Sequence, residues 1–247
     1  MKIITLLLST IFLLTLSFSS SASECNISPN LLSAYYDVSQ QVSSKQGRRN
    51  TPMQAVPQKK TFELHRQKNQ VLQRDISQGI NDIWSLKANR LSLSRAFEQY
   101  QHAIEYQANE LRYQPQWRNI YQLVVTPKLE EMQLVEQKKS GCQLEQHYVL
   151  KSKHTEYQLV WLPKLQLIKF FQAKSSTLTH QWKLTNYHAD AAQITALFKQ
   201  YSSYQSTDYA DVGDNQSMPF LAAMINQGFS ASQKTQNRHK HQPNISR

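Results

Sequence analysis

Few residues of this chain are spaced for chemistry, and those few point away from catalysis. Cys25 and Cys142 are the only cysteines. Their separation excludes a CxxC redox centre, and an even count in an exported chain points to one disulfide between them, which would consume any thiol nucleophile. Asp208, Asp211 and Asp214 lie close together around Gly213–Asp214–Asn215. Oxygen-rich loops hold hard cations, but an EF-hand needs ligands at alternate positions and these fall at every third. A solvated turn, with Asp214, Asn215 or Ser217 capping the helix that follows, accounts for them without a metal. His239 and His241 flank Lys240 with no carboxylate or thiol nearby, the pattern of adventitious metal binding. No GxSxG, HExxH, GxGxxG or P-loop occurs. The sequence therefore offers no catalytic residue, no metal site and no cofactor site. An enzyme would need a cleft that brings a histidine and a carboxylate within hydrogen-bond reach.

What remains is an aromatic and aliphatic set on period-two segments. Trp84, Leu93, Phe97, Tyr106, Trp161 and Trp182 are the expected lining of a ligand space, provided that the elements carrying them leave one open. Phe62 and Leu64 alternate with polar neighbours, as do Trp84 and Leu86. Leu91, Leu93 and Phe97 share one parity against Ser92, Ser94 and Ala96. His102, Ile104 and Tyr106 continue the series. These read as successive antiparallel strands. From residue 157 the apolar residues occupy both parities, with Leu159 and Trp161 against Val160 and Leu162, so both faces of the sheet must be covered there.

Between the two strand blocks the period changes. Trp117, Ile120, Tyr121 and Val124 fit a helix face; Pro127 behind Thr126 opens a second helical stretch through Leu129, Met132 and Val135, with Gly141 as its stop. A helix over 116–139 is thus expected to cover one sheet face. Asp190 and Gln193 form a capping box before the stripe Ile194, Leu197, Phe198, Tyr201. Residues 202–217 read as polar turns, and Met218–Asn226 as a short helix ended by Gly228. The five glycines argue against repeated tight primed turns.

The chain has 247 residues, 40% hydrophobic, and a net charge of +11. That is long enough for a sizeable core. Residues 1–22 read as a secretory signal, with Lys2 before the apolar run Ile3–Leu16 and small residues Ser20 and Ala22 before the cut. Residues 23–59 read as an N-terminal arm, 60–229 as a single α+β domain, and 230–247 as a disordered basic tail. The fold expected is a curved antiparallel sheet of about 7–10 strands packed on two or three helices. Export, and basic residues scattered rather than clustered, argue against nucleic acid. Anionic envelope lipids are nearer partners for such a cation.

The order strand block, helix, strand block, helix resembles the Lol-type lipoprotein carriers of the Gram-negative periplasm. The resemblance rests on Leu159–Val160–Trp161–Leu162–Pro163, then Leu165–Gln166–Leu167–Ile168, then Thr179–Tyr187, and spans residues 60–201. The family often has Pro where Ile168 stands. Its functional arginine has no clear counterpart at Arg90, Arg95 or Arg112. The resemblance implies a sheet wrapped around helices and a cavity for acyl chains. The expectation is a monomeric, non-enzymatic periplasmic protein binding a hydrophobic ligand such as lipoprotein acyl chains. An envelope assembly factor with a filled core is the first alternative, and an enzyme the second.

Overall fold

The computed structural model describes residues 26–42, 58–111, 115–214 and 217–226. Twelve strands form one sheet: β1 (Leu31–Val42), β2 (Gln58–Gln67), β3 (Gln70–Asp75), β4 (Ile80–Lys87), β5 (Arg90–Phe97), β6 (His102–Tyr106), β7 (Gln133–Ser140), β8 (Gln143–Lys151), β9 (Thr155–Leu162), β10 (Leu167–Ser175), β11 (Leu178–His188) and β12 (Gln205–Asp208). Their order is β12-β6-β5-β4-β3-β2-β1-β11-β10-β9-β8-β7, antiparallel throughout except for the parallel β12–β6 pair. With α1 (Trp117–Gln122), α2 (Ala191–Ser202) and α3 (Pro219–Asn226), this is an α+β fold with more strands than the alternation predicts.

Cross-strand partners share a face, so the register sorts the side chains. Leu32, Ala34 and Tyr36 of β1 stand opposite Arg66, Leu64 and Phe62 of β2, and Val71 of β3 stands between Arg66 and Trp84. We call this the inner face. Leu91 of β5 and Leu167 of β10 belong to one buried cluster on it, with Ile120 and Tyr121 of α1. Six strand steps separate β5 from β10, about 29 Å in a flat sheet at ~4.8 Å per step. A six-residue helix is only about 9 Å long. The cluster is therefore continuous across the intervening strands, and α1 covers only part of it. The outer face is covered by α2: Ile194, Phe198 and Tyr201 pack on Leu72, Ile83, Ala96 and Ala103. Asp190 accepts a hydrogen bond from the Gln193 amide at 2.9 Å, the expected cap. A third cluster sets Phe220, Leu221 and Met224 of α3 against Leu93, Phe97, Ile104 and Tyr106.

Four expectations are corrected. Residues 31–42, inside the stretch read as an arm, form β1 at the centre of the sheet, paired with β2 and β11. Its alternation Leu32, Ala34, Tyr36, Val38 is period two, and all four are buried. The helix over 116–139 stops at Gln122. Leu123 takes φ +65°, Leu129–Glu131 is a single 3-10 turn, and Gln133–Ser140 is a strand exposed along its whole length. Val135 buries nothing that a helix could use, whereas pairing with β8 satisfies its neighbours' backbone groups. Gly141, at φ +61°, turns the β7–β8 hairpin rather than stopping a helix. The stretch 202–217 contains β12 and a 3-10 helix, Tyr209–Gly213. Tight turns also do without glycine: Ala88 and Asn89, between paired Lys87 and Arg90, take φ +48° and +59°, the primed-turn signature.

Candidate functional site

Position 66 continues the parity of Phe62 and Leu64, so the pattern points an arginine at the interior. Arg66 is fully buried. None of the ion pairs among the described residues includes it. Its partners are carbonyls from three segments remote in sequence. Nε and Nη2 donate to Tyr121 O, the first at 2.8 Å. Nη1 donates to Leu165 O at 2.9 Å and Pro29 O at 3.3 Å, and Nη2 to Gln166 O at 2.8 Å. The guanidinium carbon lies 3.7 Å from the centre of the Tyr121 ring. Burial pushes its pKa down to about 10, with Tyr121 and Tyr36 opposing the shift, so the group is still a cation at neutral pH.

Arg66 thus joins three pieces over the inner face: α1, the turn between β9 and β10, and the chain entering β1. Further polar bonds reinforce α1. Gln73 donates to Ile120 O at 2.7 Å, and the Tyr121 hydroxyl bonds Pro29 O and Asn30. Beneath lies an apolar layer, with Leu32, Ala34, Leu64, Leu165 and Leu167 fully buried. Half-buried Phe62, Trp84, Leu86, Trp117, Leu123, Trp182 and Leu184 surround it. The Tyr36 hydroxyl and Trp84 Nε1 are buried on this face without a hydrogen-bond partner among the described residues.

The outer face carries a polar network. Ser33 Oγ lies 2.8 Å from His65 Nδ1, and His65 Nε2 donates to Glu63 at 3.1 Å. Arg74 bonds both Glu63 and Glu98, and the Tyr201 hydroxyl of α2 donates to Glu98 at 2.6 Å. Burial raises the Glu63 carboxyl, but His65 and Arg74 outweigh it and hold it below the ordinary range. The Tyr201 hydrogen bond leads the causes that hold Glu98 low. A serine, a histidine and a carboxylate do stand in a row here. Ser33 and His65 are both fully buried, however, so no substrate atom reaches the hydroxyl in this conformation.

The expected lining residues fall into three groups. Trp84 borders the Arg66 cluster and reaches the α3 cluster. Leu93, Phe97 and Tyr106 are buried under α3 and its 3-10 neighbour. Trp161 packs with Leu159, Ile168 and Phe171, and Trp182 bridges that group to the Arg66 cluster. All six are therefore on apolar layers, but not around one space. A recess of about 450 Å³ lies elsewhere, at the tips of two hairpins. Cys142 sits in the β7–β8 turn. Cys25, His239, His241, the signal and the tail lie outside the described residues. Asp208, Asp211 and Asp214 form no metal cluster among the described residues. No described helix is long and apolar enough to cross a membrane.

Sequence reasoning passed over Arg66, and a signal was present: a charge at an apolar-parity position of a central strand. Its partners were not legible, since carbonyls leave no trace in side-chain types.

No family model and no curated protein matches this chain. Among solved structures it is similar to PNGF-II, seen in two crystal forms. The first shows a TM-score of 0.35 at 7% identity, covering 71% of this chain and 31% of that one. The second shows 0.34 at 9% identity with the same coverage. This chain thus spans under a third of the length of the structures it matches.

Proposed function

We propose that this protein is a non-enzymatic carrier or binding protein of the periplasm, exported by a signal cut after Ala22. Its ligand is hydrophobic, an acyl chain or the acylated end of a lipoprotein, and the inner face receives it when α1 moves aside. One observation carries the reading: a buried guanidinium with no carboxylate partner among the described residues fastens a six-residue helix over an apolar sheet face. Such an arrangement is expensive as a way to build a core, because an unpaired buried charge costs several kcal/mol that apolar packing would not. As a closure it makes sense. Opening α1 rehydrates Arg66 and its carbonyls while a guest takes over the apolar contacts, at about 0.8 kcal/mol per buried methylene. The Lol-type resemblance of residues 60–201 points the same way.

Lipid extraction from protein purified out of envelope fractions, followed by mass spectrometry, tests this. Stoichiometric acyl lipid supports the reading, and lipid-free protein opposes it. A second reading, an assembly factor with a filled core, draws on the exposed edge strand β7 with Leu134 and Val135 uncovered. A stoichiometric protein partner recovered from the same fractions, without lipid, would favour it.

A further inference from the structure

The recess of about 450 Å³ lies where two hairpins end side by side. Its floor is a cross-strand row: Lys151 of β8 faces Glu156 of β9, which faces Lys174 of β10. Glu156 is committed to Lys151 at 3.1 Å. Lys174, with Lys153 and His154 on the β8–β9 turn, has no ion pair among the described residues. The wall carries Ser152, Ser175 and Ser176, of which Ser152 Oγ donates to Thr155 O at 3.1 Å and Ser175 Oγ to Leu178 O at 3.2 Å. Both turns are fixed by their own bonds, Ser152 N to Thr155 O at 2.9 Å and Leu178 N to Ser175 Oγ at 3.0 Å. The lining holds one carboxylate against three lysines, and no Phe, Tyr, Trp or aliphatic side chain.

We propose that this recess binds a phosphate group carried on a polar headgroup. The ammonium groups of Lys153 and Lys174, with the Ser176 hydroxyl, supply donors to several phosphate oxygens at once, which a chloride or a lone carboxylate would not fill. With no Phe, Tyr or Trp in the lining, the single imidazole of His154 is the one ring it offers for the successive stacking that single-stranded nucleic acid uses. The absence of an apolar sub-pocket removes the anchor that a peptide needs. The volume lies within the range of small-molecule sites and is far larger than bare phosphate requires. The site is independent of the inner face and of any acyl guest.

Two double charge reversals of the full chain test it, both in exposed positions: K153E/K174E at the recess, and K87E/K199E away from it, with the same change in net charge. Cosedimentation is measured with phosphatidylglycerol–phosphatidylcholine vesicles and with pure phosphatidylcholine vesicles. Amide chemical shifts are followed while inorganic phosphate is added. K153E/K174E is expected to bind the anionic vesicles roughly 30-fold more weakly, and K87E/K199E within about threefold of the parent. Shifts confined to residues 151–156 and 174–176 with inorganic phosphate, without preference between vesicles, would support the same site and assign it to a free phosphate compound. Equal weakening by both variants, or no response to either ligand, would overturn it.

Discussion

Arg66 is the residue on which the account turns, and its energetics set what a substitution should do. Arg66→Met removes a desolvated charge, which is favourable, and strands carbonyls at Tyr121, Leu165 and Gln166, which costs about 1–3 kcal/mol for each that stays buried. α1 can lift and hydrate its own carbonyl, so the loss should fall locally. Arg66→Met is expected to lower global stability by about 2 kcal/mol in urea unfolding. Amide exchange in residues 117–122 should accelerate more than in β1 or β2. Unchanged exchange there would separate Arg66 from closure. The outer network makes a second prediction. Glu63 and Glu98 are held below the ordinary carboxylate value of 4.5, so their contribution is complete above it and is lost as pH falls through the folded values. The urea midpoint should drop below pH 4.5, and Glu63→Gln should flatten that drop. At this scale the sequence was readable where the period was clear, two at Leu64 and 3.6 at Ile194. The row Ser33–His65–Glu63 was hidden because Ser33 lies in a strand read as an arm.

Among the elements, the caps and turns carry separable predictions. Asp190→Ala should cost about 1 kcal/mol, seen as fraying of the first turn of α2 in hydrogen exchange. Gly141→Ala meets no atom within 4 Å, so only its φ of +61° is at stake, and about 1 kcal/mol should be lost in thermal unfolding. Two elements show where local pattern fails. The capping box of α2 is a local device, since acceptor and amide lie three residues apart, and it was legible. The chain from Thr126 to Ser140 was not. Met132 and Val135 have helical spacing, yet what decides the structure of Gln133–Ser140 around them is its pairing with Gln143–Lys151, on the far side of a turn. β1 poses the same problem in another form: its partners β2 and β11 are distant in sequence, and Gln and Ser at its exposed end resemble a loop.

For the molecule as a whole, apolar layers on both faces of the sheet explain why helices stand on both sides. α2 seals the outer side against Leu72, Ile83 and Ala96. The inner side is covered by α1, a much smaller element that packs Ile120 and Tyr121 into the core and accepts hydrogen bonds from Arg66 and Gln73; in the proposed reading this is the side that opens. The expected pairing of Cys25 with Cys142 would tie the segment before β1 to the β7–β8 turn. Intact mass before and after reduction tests it, the oxidised form being lighter by two hydrogens. The net charge of +11 sets the long-range field in which any anionic partner approaches. The most direct test of the carrier reading is titration of delipidated protein with a fluorescent fatty acid, with amide exchange of residues 117–122 followed in the same sample. Saturable binding of one chain per molecule, accompanied by faster exchange in α1, is the predicted result. A probe that fails to bind, or binds while α1 exchanges as before, would contradict it.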